Sequence, residues 1–205
     1  MKITNKYLLA IAFLLLFGGT FASCDDETPI IDSKMTFKEA IKGSPAPQEI
    51  IDQLVLLDVR YLSTDGKLHQ GQLVVNKMVE EDVKTMFDFM LSEKFIVEKC
   101  IPIVKYKWSD DASMRDNNSS SFNYREIAGS KTISRHATGT AVDINPKWNP
   151  AVSDDHISPE NGKYDTNAIG TLTATSPTTK KFKSLGWVWG GDWHSFQDYQ
   201  HFDKR

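Results

Sequence analysis

From Gln48 onward the apolar positions fall into short blocks separated by turn signals. Leu54 to Arg60 (LVLLDVR) is an apolar, β-branched run, and Gln70 to Asn76 (QGQLVVN) is a second. Thr64-Asp65-Gly66-Lys67 lies between them, and an Asp-Gly pair there predicts a β-hairpin. Asn76 then reads as a helix N-cap, with Glu80 and Glu81 early enough to complement the helix N-terminus. Val79, Val83, Met86 and Met90 recur at helical spacing and form one apolar face, read as core packing. Phe95 to Tyr106 is expected as a strand kinked at Pro102.

The pattern breaks at residues 109–121 (SDDASMRDNNSSS), where Ala112 and Met114 are the only apolar side chains. That composition is expected as a long loop outside the core. A second long loop is expected from Pro146 to about Thr175. Ser176-Pro177 opens a helix in N-cap and first-turn positions, Phe182 and Leu185 give it an apolar side, and Gly186 ends it. Trp187-Val188-Trp189, a Gly-Gly turn and a short segment through His201-Phe202 close the chain. No internal repeat is visible. These elements predict an α+β fold with a small, mainly antiparallel sheet and two main helices.

Composition narrows the classes. The chain has 205 residues, 40% hydrophobic and 25% charged, ordinary for one globular domain. Lys and Arg number 24 against 27 Asp and Glu, a net charge of -3 with no long basic run, which argues against nucleic acid as partner. A single long apolar stretch, at the N-terminus, excludes a multi-span membrane protein.

That stretch reads as an address. Lys2 and Lys6 precede an unbroken apolar run from Leu8 to Phe17, too short for a comfortable helical span and fitting an export signal. Ala22-Ser23-Cys24 resembles the lipobox of bacterial lipoproteins, which implies acylation of Cys24; cleavage after Ala22 would instead release a soluble protein. The expected organisation is a lipoprotein-type signal peptide over 1–23, a tether over 24–47 with room for a short helix around Phe37 to Ile41, and one domain over 48–205. The expected location is outside the cytoplasm, on a bacterial membrane (periplasmic or cell surface) through the lipid alone. The second cysteine, Cys100, is expected as a buried, inert thiol.

Candidate chemistry centres on histidine and aspartate. Thr140 to Asn145 (TAVDIN) reads as a strand that places Asp143 on one face with Ala141. An Asp within a β-branched segment is costly to bury unless paired or metal-bound. Ala137, Gly139 and Ala141 leave room for His136 beside it, so the pair is either a metal half-site or an ion pair. Asp198 and His201 near the C-terminus offer a further nitrogen and a further carboxylate. Their spacing brings both to one place only across a helical turn or a bend. The chain has no HExxH and no CxxC.

SRHATGTAVD resembles the SxHxxGxAxD block of the zinc D-alanyl-D-alanine carboxypeptidases and the endolysin-type L-alanyl-D-glutamate peptidases. GWVWGGDWHSFQDYQHF resembles the closing block of the same family, and further similarity extends the resemblance over roughly residues 50–205. It implies a hedgehog-like fold with His136, Asp143 and His201 as zinc ligands and Asp198 as general base. Arg125 would polarise the scissile carbonyl or hold a substrate carboxylate, with Arg115 a second candidate for the carboxylate. Ser134 and Trp193 would lie against substrate, although Trp193 also fits a structural turn together with Trp189, Gly190 and Gly191. His69, His156 and His194 match nothing metallic. The implied activity is a zinc metallopeptidase cutting peptidoglycan stem peptides, with a monomer as the expected state. The alternative is a non-catalytic, zinc-holding cell-wall-binding lipoprotein, since hedgehog domains serve largely as binding modules.

Overall fold

The computed structural model describes residues 28–127 and 129–205. The export signal and Cys24 lie outside the described residues. The two apolar runs form strands β2 (Leu54–Leu62) and β3 (Leu68–Asn76), paired antiparallel from Leu54↔Asn76 to Leu62↔Leu68 around the Asp65-Gly66 turn. Gly66 takes a φ of 75°, the left-handed conformation that such a turn needs. Asn76 caps a 3-10 turn (Lys77–Val79) by accepting from the Met78 N–H, and helix α3 (Glu80–Ser92) follows.

Leu57, Val59 and Tyr61 of β2 with Leu73 and Val75 of β3 are buried against the predicted apolar face, Val79 at the end of the 3-10 turn and Val83, Met86 and Met90 of α3. The same core takes in Val142, Ile144, Phe182, Trp187, Trp189 and Phe202. Burial of this apolar surface is the main stabilising contribution. Phe182 lies on α5 (Pro177–Ser184), capped by Ser176 with Pro177 in the first turn, and stacks on Phe202 at 3.9 Å between centroids.

The C-terminal half carries a three-stranded antiparallel sheet of order β6 (Ala141–Asp143), β11 (His201–Lys204), β9 (Trp187–Trp189). A second such sheet has the order β10 (Gln197–Asp198), β7 (Ala151–Ser153), β8 (His156–Ser158). The hairpin of β7 and β8 thus occupies part of the stretch expected as a loop after Pro146. Among the described residues, parallel pairing is limited to β1 (Ile30–Ile31) on β3, β4 (Lys99–Cys100) on β5 (Asn118–Ser119), and an isolated bridge between Leu62 and Ile96. The architecture is α+β, its strand pairs mainly antiparallel.

Three segments differ from expectation. Phe95 to Tyr106 is not a continuous strand: β4 is two residues long, and Pro102 leads into a 3-10 turn (Ile103–Tyr106). Proline offers no N–H to a ladder, so pairing stops there. Residues 109–121 are not an exposed loop. Ser109 caps a helix, α4 (Asp110–Arg115), and the side chains from Asn117 to Ser121 are buried. Their polarity is satisfied internally: Asn118 accepts from Ile101 N–H and donates to Ile101 C=O and Ser113 Oγ. Ser121 Oγ donates to Ala141 C=O, and Ser119 Oγ accepts from Asn145 N–H. Composition alone reads such a stretch as solvated because it cannot show whether partners await it.

The third segment is the expected tether. Its described part lies on the domain: β1 pairs with β3, and Gln72 ties Ser33 and Met35 to the hairpin. Helix α1 (Phe37–Ala40) carries a capping box of Thr36 and Glu39, and Ala40 is buried with Leu54, Val74 and Phe122. A short helix, α2 (Gln48–Ile51), then leads into β2. The hairpin is therefore covered on both faces. Among the described residues, no helix is long and apolar enough to cross a membrane.

Candidate metal centre

Strand β11 lies between β6 and β9, with His201 opposite Asp143 and Phe202 opposite both Val142 and Trp189. Directly opposed residues of an antiparallel pair share a face, so His201 meets Asp143 while Phe202 and Val142 enter the core on the other. Asp143 is further fixed from its outer side, where its backbone exchanges hydrogen bonds with Ser120 at 2.8 and 3.0 Å.

His136 arrives from a 3-10 turn (Arg135–Thr138) that Ser134 caps by accepting the His136 N–H. The turn ends at Gly139 in the left-handed conformation, where a β-carbon would lie 2.7 Å from Asn76 N. Only glycine lets the turn close this tightly on the hairpin and return into β6.

The outcome is three buried donors, His136, Asp143 and His201, whose ligand atoms all lie within 4.8 Å of one another. They are the only such group among the described residues. His136 Nε2 is 3.2 Å from both Asp143 Oδ2 and His201 Nδ1, and His201 Nδ1 is 3.1 Å from Asp143 Oδ1. The imidazole nitrogens face each other, an arrangement a cation between them relieves. Two nitrogens and one carboxylate oxygen suit a first-row divalent metal, and three protein ligands leave a coordination position open. The residues fit a zinc ion.

The far nitrogens have different partners. His136 Nδ1 lies 2.6 Å from Ser121 C=O and donates to it, so Nε2 is the nitrogen turned toward Asp143 and His201. His201 Nε2 faces Asp203 Oδ2 at 3.6 Å.

Electrostatics follow this crowding. Burial acts to raise Asp143, but the His136 charge and hydrogen bonds from both imidazoles outweigh it and hold its carboxyl well below the usual range. Burial likewise disfavours the His201 cation, yet hydrogen bonds to Asp143 and Asp203 and the charges of Asp143 and Asp198 push it up to about 10. In the metal-free site His201 therefore holds a proton.

Asp198 stands on β10, and a bend at Tyr199-Gln200 leads on to β11, as the spacing of Asp198 and His201 requires. Its Oδ1 is buried without a hydrogen-bond partner, and burial raises its pKa to about 6 against the opposing pull of His201. A β-carbon on Gly190 would lie 2.9 Å from Asp198 Cβ, so the Gly-Gly turn makes room for this carboxylate's backbone. Trp193, half-exposed, lies 5.4 Å from the His201 ring and 5.2 Å from Phe196.

Arg125 is joined to the site through its backbone, whose carbonyl accepts from Ser134 N–H, while Asn123 N–H donates to His136 C=O. Its guanidinium pairs with Asp110, whose other oxygen accepts from Asn123 Nδ2. Arg115 pairs with Asp111 and Glu160. His69 bridges Asp32 and Asp65 away from this group, and His156 and His194 are exposed. Cys100 is buried and free.

Sequence reasoning did not find the Ser121 carbonyl or Asp203. Nothing in a sequence marks a backbone acceptor fifteen residues away from its histidine. Asp203 did carry a signal, because it stands two residues beyond His201 and a strand puts both on one face.

Residues 128–204 match the family model described as D-alanyl-D-alanine carboxypeptidase. That span contains Ser134, His136, Asp143, Trp193, Asp198 and His201, whereas Arg125 precedes it. No curated protein and no solved structure matches the chain significantly.

Proposed function

The chain belongs to the D-alanyl-D-alanine carboxypeptidase family of peptidases, and on that premise we propose that it is a zinc metallopeptidase acting on peptidoglycan stem peptides. The bond is either the terminal D-Ala–D-Ala amide or the internal L-Ala–D-Glu amide. The observation that carries the reading is the buried His136–Asp143–His201 group, with Asp198, whose Oδ1 has no hydrogen-bond partner, interacting electrostatically with all three. An exported, lipid-anchored protein is part of the same proposal. It rests on residues 1–24.

His136 Nε2, Asp143 and His201 Nδ1 would hold the ion, which when bound supplies Lewis acidity and makes water nucleophilic near neutral pH. Asp198 then has the role of general base: it takes the proton from the attacking water and delivers it to the leaving amine. Its raised pKa suits both steps, since the group can gain and lose a proton close to neutrality. Arg125 would stabilise negative charge on the scissile carbonyl oxygen, its guanidinium held by Asp110. Trp193 would form an aromatic wall over the His201 side of the site.

The test is mass spectrometry of muropeptides incubated with the purified protein, with and without chelator. Chelator-sensitive loss of one terminal D-Ala identifies a carboxypeptidase, and release at L-Ala–D-Glu an endopeptidase. Zinc uptake without cleavage would favour a binding role instead. Asp198→Ala should keep zinc and lose about 10²–10⁴-fold in turnover, whereas His136→Ala should lose both. Wild-type turnover by Asp198→Ala would refute the assigned base.

A further inference from the structure

Resting on that reading of the metal centre, we propose that Asp203 is a positioning residue that fixes the tautomer and orientation of His201 toward the ion. The two histidines of the group present different nitrogens inward, Nε2 from His136 and Nδ1 from His201. A ligating imidazole nitrogen must be deprotonated, so each ring must carry its one proton on the far nitrogen and needs an acceptor there. His136 has the Ser121 carbonyl at 2.6 Å. For His201 the facing acceptor is Asp203 Oδ2, 3.6 Å from Nε2.

The backbone holds this pair in place. β11 is hydrogen-bonded on both sides, with Asp203 opposite Ala141 on β6 and Val188 on β9. The alternation of a strand then fixes His201 and Asp203 on one face, two residues apart, leaving only side-chain rotation to close the gap. Asp203 is 4% exposed and its Oδ1 has no hydrogen-bond partner, which leaves Oδ2 facing His201. The nearest cation to it is the exposed Arg205, whose Nε is 3.5 Å from Oδ1. A buried carboxylate so placed also makes the imidazole a stronger donor to the ion.

The experiment measures zinc affinity of the purified full chain by competition with a chromophoric chelator, together with the visible spectrum of the Co²⁺-substituted protein. Asp203→Ala should weaken zinc binding about 10–100-fold and alter the Co²⁺ bands, as loss of a partner beyond the metal ligands does. Asp203→Asn keeps an oxygen acceptor, so it should recover most of that affinity and the wild-type Co²⁺ spectrum. Should the alanine variant not fold, Asp203→Leu takes its place against Asp203→Asn, the two being close in volume. Wild-type affinity in the folded alanine or leucine variant overturns the proposal, and so does an asparagine variant as weak as either. A wild-type protein that takes up no zinc overturns the metallopeptidase reading and this proposal with it. Tight wild-type binding with an unaffected variant overturns this proposal alone.

Discussion

His201 is pulled in opposite directions by burial and by its carboxylate neighbours. Burial disfavours its cation, while Asp143, Asp203 and Asp198 together raise its pKa to about 10. A metal ligand has to be neutral, so zinc must displace that proton. Below pH 10 the apparent affinity should therefore fall about tenfold for each unit of acidification that His201 controls. Calorimetry in two buffers of different ionisation enthalpy should count about one proton released per ion bound at pH 7–8; no release would contradict a protonated His201. The linked stability of the metal-free protein has a defined sign. The His201 contribution is fully present below its unfolded value of about 6.5 and is lost as pH rises through about 10. Asp198, raised to about 6, contributes stability below about 3.9 that is lost as pH rises through 6.

Among the elements, the stretch from Asn117 to Ser121 shows how a polar sequence can be interior. Asn118 replaces a missing ladder by bonding both backbone groups of Ile101, and its amide also reaches Ser113. Asn118→Ala should destabilise the protein by about 1–3 kcal/mol, because the part-buried Ile101 N–H and C=O lose their partner. A chemical denaturation series would register that as a lower midpoint at unchanged slope, and a change under about 0.5 kcal/mol would contradict the account. The same stretch presents the Ser121 carbonyl to His136, so a loosened segment should weaken metal binding as well. The hairpin and α3 were legible because their apolar periods are strong and tertiary packing agrees with them. The short strands β4 and β5 were not, since two residues leave no period to read.

For the whole molecule, the N-terminal segment bears on stability. β1, α1 and the Ser33–Gln72 and Met35–Gln72 hydrogen bonds cover the second face of the hairpin. A truncation beginning at Ser44 removes them and exposes Leu54, Val74 and Phe122. It should be less stable than a chain beginning at Pro29 by at least about 2 kcal/mol, the scale of one large apolar side chain uncovered. Thermal melts of the two would decide it, and equal melting temperatures would show that the segment only rests on the surface.

Local patterns in the sequence carried what depends on neighbours along the chain: the hairpin, the cap at Asn76, the face of α3, and the blocks holding His136, Asp143, Asp198 and His201. Alternation within TAVDIN already separated Asp143 from the core residues Val142 and Ile144. Periodicity and capping are short-range effects, so one sequence suffices to read them. Pairing across long separations is different. That β11 sets His201 directly opposite Asp143, that the Ser121 carbonyl accepts a hydrogen bond from His136, that Asp203 faces the other side of His201, and that a run of serines and asparagines is interior all follow from which strands meet. Those contacts are fixed by packing the whole chain at once, because a polar group can be buried only where the rest of the fold supplies its partner.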